Sequence, residues 1–133
     1  MSIPVELPAL AGAIVEFGGV GFLLTTGDDG RAHVAHVATR WQEDLLVVEA
    51  GRSSRRNATA RPSTVLLFPP VEAGGYSLIV DVQAEVVGEQ VRLTPERAVL
   101  HRPAPVDAPA GTVSVDAPAG TVSGACAQDC RPF

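Results

Sequence analysis

The chain has 133 residues and a mass of 13.8 kDa, with 46% hydrophobic residues, which suits one domain with a real core. A formal charge of −5 excludes the broadly basic surface that nucleic-acid binding needs, so no nucleic-acid partner is expected. No apolar run approaches the roughly 20 residues that cross a bilayer, and the opening MSIPVELPAL has neither a basic leader nor a long apolar core. The expectation is a cytoplasmic protein with no membrane partner.

Residues 7–17, LPALAGAIVEF, predict a short helix, because Leu10, Ile14 and Phe17 recur on one face. Gly18 and Gly19 stop it. VGFLLTT then predicts a strand, and Gly27-Asp28-Asp29-Gly30 a tight hairpin turn, where Asp and Gly tolerate positive φ. The returning strand spans residues 32–41, AHVAHVATRW. Its alternation places His33, Ala35, Val37 and Thr39 on one face and Val34, His36, Ala38 and Arg40 on the other. His33 and His36 therefore point apart, and no metal site is predicted from them. Gln42-Glu43-Asp44 turns the chain into a third strand, LLVVEA.

Residues 51–68, GRSSRRNATARPSTVLLF, are the most distinctive segment. All ten cationic residues of the chain are arginine, and four of them, Arg52, Arg55, Arg56 and Arg61, lie here. Residues 52–60 predict one or two helical turns with Ser53 or Ser54 as N-cap. Guanidinium groups beside hydroxyls are the chemistry that binds phosphate. The same cluster would equally serve as a solvated helix face, so its meaning depends on the fold around it.

Pro62 ends the helical option, and STVLLF predicts a fourth strand. A loop over residues 69–75 leads to a long fifth strand over residues 76–87, and then to a short sixth, QVRL. Thr94-Pro95-Glu96-Arg97 has the form of a helix start: threonine cap, proline at the first position, glutamate in the first turn. From residue 103 the character changes. VDAPAGTVS at residues 106–114 is repeated without change at residues 115–123, and Cys126 and Cys130 come after it. Two copies of an Ala/Pro/Gly-rich unit are too few for a stacked core. The expected organisation is a folded domain over residues 1–102 and a tail over 103–133, its two cysteines a thiol pair without a second ligand pair for metal.

Six short strands with hairpin turns and little helix predict a mainly β protein, a small β-barrel. The order of its parts resembles the FMN-binding split barrels related to pyridoxamine 5′-phosphate oxidase. Four segments carry the likeness: the FLLTTGDDGRAHVAHVATRW hairpin, the LLVVEA strand, GRSSRRNATARPSTVLL, and YSLIVDVQAEVVGE. The likeness as a whole covers about residues 8–100. Family members show "ThxxDGrPhv" in the hairpin and "sxKxxNlxxxPxv" after the third strand. Here the family lysine is replaced by Ser54, and the chain contains no lysine.

The resemblance implies a six-stranded split barrel that forms a homodimer, with a flavin site at the subunit interface. It implies that the FMN phosphate lies against Arg52, Ser53, Ser54, Arg55 and Arg56. It places the flavin ring along the second strand, at His36, Val37, Ala38 and Thr39, largely through backbone groups. F420 is the alternative cofactor. The implied function is a flavin-dependent oxidoreductase acting on a small molecule, with the cofactor carrying hydride or electrons and no side chain nominated as catalytic. Other readings on the same barrel are a non-catalytic flavin or F420 carrier or sensor, and a cofactor-less dimeric interaction protein.

Overall fold

A computed structural model describes residues 1–105 of the chain. In chain order the elements are β1 (Ser2–Val5), a 3₁₀ turn (Leu7–Ala9), α1 (Leu10–Glu16), β2 (Val20–Thr26), β3 (Ala32–Ala38) and β4 (Arg40–Gln42). Next come β5 (Leu45–Glu49), α2 (Arg52–Ala60), β6 (Ser63–Phe68), β7 (Ser77–Val87) and β8 (Gln90–His101). All strand pairs are antiparallel, in the order β3-β2-β6-β7-β8-β5-β4, with β1 added along β8. The two ends of this order, β3 and β4, are consecutive in the chain. A sheet whose edges are joined by one residue must curl on itself, which gives the half-barrel.

That joining residue is Thr39. Its backbone N–H and its hydroxyl both donate to the Gly19 carbonyl, at 2.9 and 2.8 Å. These two hydrogen bonds extend the β2–β3 pairing by one residue, and beyond them Arg40–Gln42 pairs with β5 instead. The predicted single strand over residues 32–41 is therefore two strands with different partners. Its predicted facing holds: Val37 is buried, and Val34, His36 and Ala38 are exposed.

The curl encloses a core of Leu10, Leu23, Leu46, Leu66, Phe68, Leu78, Leu93 and the valines around them. Leu10 and Ile14 of α1 close part of it, and Phe17 packs on the same cluster. Gly21 marks the tightest approach. A Cβ there would lie 2.6 Å from the Leu67 carbonyl oxygen and 2.8 Å from the Phe68 ring.

The barrel has eight strands rather than six: β1 has no counterpart among the expected elements, and the returning strand divides. The helix expected from Thr94 does not form. Residues 90–101 are one strand, whose pairing with β7 shifts register between Asp81 and Val82. Asp81 faces Arg97 and Val82 faces Pro95, so Glu96 is an extra residue in the ladder. A bulge is one of the few sheet positions where proline's missing N–H costs little. Pairing along the whole of β7 thus overrides a local helix-start signal. The repeat and both cysteines lie outside the described residues. Among the described residues no helix is long and apolar enough to cross a membrane.

Candidate functional site

The arginine-rich segment folds as α2, nine residues long. Gly51 is its extended N-cap, not Ser53 or Ser54, and no side chain caps it. The helix stops because Pro62 disfavours helical backbone at the residue before it; Arg61 is extended, with φ −137° and ψ 87°. Ser54, Asn57 and Ala58, spaced i, i+3 and i+4, turn into the barrel. Asn57 Nδ2 donates to Thr25 Oγ1 at 3.2 Å in the interior, so a buried amide is satisfied by β2.

Beside α2 lies a cleft of about 430 Å³. One wall is Ser53, Arg56 and Asn57. The other is the β2–β3 turn and the start of β3, contributing Asp28, Asp29, Arg31 and His33. Gly27 and Gly30 shape that turn: Gly27 N–H donates to the Arg31 carbonyl at 2.8 Å, and Gly30 sits at φ +82°.

Arg61 ties the two walls together. Its Nε donates to the Thr26 carbonyl at 2.8 Å, and its Nη2 to Asp28 Oδ1 at 2.6 Å. That hydrogen bond first, and then the Arg61 charge, hold the Asp28 carboxyl below its ordinary range, with a smaller pull from Arg56. Asp28 is thereby engaged. Arg31 and Asp29 form only a loose pair at 3.8 Å, with both side chains largely exposed. Among the described residues Arg56 has no acidic partner within ion-pair distance. Its guanidinium, together with the Ser53 hydroxyl, is the part of the cleft left free for an anion.

The other expected residues are placed differently. Arg55 turns to the opposite end of α2, donating to the Gly51 carbonyl at 3.4 Å and to the Gly88 carbonyl at 3.2 Å. It fastens the helix start to the β7–β8 turn. Ser54 is 1% exposed. A lysine at this position would put an ammonium into the barrel wall, whereas a small hydroxyl fits. Arg52 is exposed and does not line the cleft.

On β3, Val37 is a core residue and Thr39 is held by Gly19. His36 lies on the outer face, its ring stacked on Phe22 at 4.8 Å. Ala38 is also on that face. Within one protomer the residues His36–Thr39 do not line the cleft. β3 is nevertheless a sheet edge, pairing only with β2 among the described residues, so its far side offers backbone donors and acceptors.

Asn57, Arg61, Arg31 and the turn carboxylates were missed as site residues. Their roles arise where the hairpin tip meets the end of α2, thirty residues away, and no local pattern encodes that meeting. The inward facing of His33 was the one available hint.

No family model matches the chain. The uncharacterized protein Mb0449c of Mycobacterium bovis and MT0457 of Mycobacterium tuberculosis are each 34% identical to it over 122 residues, covering 79% of this chain and 85% of theirs. Among solved structures, a protein from Listeria innocua named for pyridoxamine 5′-phosphate oxidase superposes with a TM-score of 0.57 at 17% identity, covering 71% of this chain and 98% of its own. The FAD binding protein from Mycobacterium smegmatis gives 0.56 at 13% identity, over 77% and 100%. An F420 reductase gives 0.50 at 15% identity, over 59% and 87%.

Proposed function

We propose, for a chain that belongs to the family of mycobacterial Mb0449c and MT0457 and has the split-barrel fold of pyridoxamine 5′-phosphate oxidase-like proteins, that it binds a flavin-type cofactor and serves as an oxidoreductase. The observation that carries this reading is the cleft beside α2, where Ser53 and Arg56, which has no acidic partner among the described residues, stand beside the edge strand β3. These groups fit a phosphate: a guanidinium offers parallel N–H donors, and the hydroxyl adds one more. Bound there, the cofactor supplies hydride or electron-pair transfer. The chain would hold its phosphate through Arg56 and Ser53, orient its ring through the β3 backbone, and exclude water. FMN is the leading ligand and F420 the alternative, the fold being shared with proteins named for both flavins and F420.

The reading includes a homodimer. On the outer face of the barrel Phe22 sits in register with His36 on one side and Leu67 on the other, and Leu24 with Val34 and Val65. Val20 and Val34 are 43% and 55% exposed on this face. A contiguous apolar sheet surface of this kind is what a self-complementary two-fold contact covers. It carries His36 and Ala38. A second copy seated there would bring the outer face of β3 into a shared interface site.

Purified protein tests this directly. A yellow preparation whose spectrum is that of a flavin, or a thermal midpoint raised by FMN or F420, is the expected result. Ligand at a hundredfold its Kd stabilises by about 2.7 kcal/mol, an easily measured shift. A colourless protein whose unfolding ignores FMN, FAD and F420 refutes the reading.

A further inference from the structure

A second concave site lies away from α2. The 3₁₀ turn and α1 supply Leu7, Pro8 and Leu10; β4 supplies Trp41; and β8 supplies Thr94 and Pro95 at its bulge. They enclose a groove of about 680 Å³, larger than the cleft beside α2 and within the range of small-molecule pockets. Its walls are mainly hydrocarbon. At its rim stand the two residues of the β4–β5 turn, Glu43 and Asp44. Among the described residues neither carboxylate has a cationic partner.

We propose that this groove is a binding site for a small organic cation with an apolar body, such as an arylalkylammonium ion. Three features converge on that class. The exposed Leu7, Pro8 and Ala11 side chains accept hydrocarbon or an aromatic ring, and burying it is the main driving force. The paired carboxylates attract a positive head group and repel the anionic ligands that suit the other cleft. Trp41 lines the groove, and tryptophan is the aromatic residue that attracts a cation most strongly. Glu43 also adopts φ 59°, a conformation that glycine or asparagine takes with less strain. The turn accepts that strain and presents a carboxylate at the groove mouth.

Trp41 is the chain's one tryptophan, so all tryptophan fluorescence comes from a residue that lines this groove. The experiment titrates the full chain with phenethylamine, with the neutral phenethyl alcohol, and with the anionic hydrocinnamate. The amine should change Trp41 emission saturably, the alcohol should bind about fivefold more weakly, and hydrocinnamate should not saturate. Asp44→Asn and Glu43→Gly should each bring the amine toward the affinity of the alcohol. Glu43→Gly also relieves the positive φ, so its thermal midpoint should hold or rise, and lost binding then is not lost folding. The proposal is overturned by no saturable response to the amine, by equal binding of hydrocinnamate, or by an amine affinity that neither substitution changes.

Discussion

Replacing Gly21 with alanine tests how tightly β2 packs on β6 in the barrel. The added methyl would lie 2.6 Å from the Leu67 carbonyl oxygen and 2.8 and 3.1 Å from the Phe68 ring. Favourable carbon contacts lie at about 3.5–4.0 Å, so the overlap approaches an ångström. Leu67 is paired with both Phe22 and Ile79, which fixes its carbonyl, and Phe68 is fully buried. Neither neighbour can swing aside. Overpacking of this kind costs about 1–3 kcal/mol, and a backbone obstacle argues for the upper end. Alanine recovers about 0.5–1 kcal/mol through the lower entropy of its unfolded chain. The net expectation is a loss of about 2 kcal/mol, or roughly 8–16 °C in Tm for a domain of this size. The control is Gly12→Ala in α1, where a Cβ meets nothing within 4 Å. It should stabilise by about 0.5–1 kcal/mol. Thermal and urea unfolding followed by far-UV circular dichroism measure both. A Gly21→Ala protein as stable as wild type, or a destabilised Gly12→Ala, refutes this account of the closure.

Arg56→Ala should weaken FMN by about tenfold while leaving riboflavin nearly unchanged, as expected for one lost charge-assisted hydrogen bond; equal loss for both ligands contradicts a phosphate role. Arg55→Ala should instead lower Tm, because its donors hold the Gly51 and Gly88 carbonyls, with less effect on the FMN-to-riboflavin ratio. The Arg61–Asp28 tie should weaken in acid: the folded Asp28 pKa lies below the ordinary value of 3.8, so the contribution is complete above that value and is lost as pH falls through the lower folded one. Asp28→Asn should flatten that part of the acid limb of the stability profile, and an unchanged limb counts against the tie. Val34→Glu, on the exposed face of β3, should shift the protein from dimer to monomer in light scattering; a monomeric wild type sinks the dimer outright.

Much of the barrel is legible along the chain. The alternation of VGFLLTT and of AHVAHVA, the Gly-Asp-Asp-Gly turn between them, and Pro62 after the arginine cluster each act within a few residues. Each gives the local structure the sequence predicts there. The errors share one cause. Thr94-Pro95-Glu96 carries a helix-start pattern, but β7 offers it a ladder along almost its whole length, and a single extra residue absorbs the proline. Residues 32–41 look like one strand, but pairing with β2 ends at Thr39, and Arg40–Gln42 takes β5 as its partner. Ser2–Val5 has too little pattern to announce a strand without β8 beside it.

The arginine cluster shows the same division at the level of function. Its composition was enough to suggest a phosphate, because guanidinium and hydroxyl chemistry does not depend on fold. It could not say which arginine faces a cleft. The packing of α2 decides that: Arg55 is spent on the β7–β8 turn, Arg61 on the hairpin tip, Arg52 points away, Ser54 is buried, and Ser53 with Arg56 lines the cleft. Sequence determines what each side chain is able to bind and which local structure its neighbours favour. Partners distant along the chain decide which donors are already used, because hydrogen bonds and ion pairs are made across space, and only the curled sheet brings these residues together.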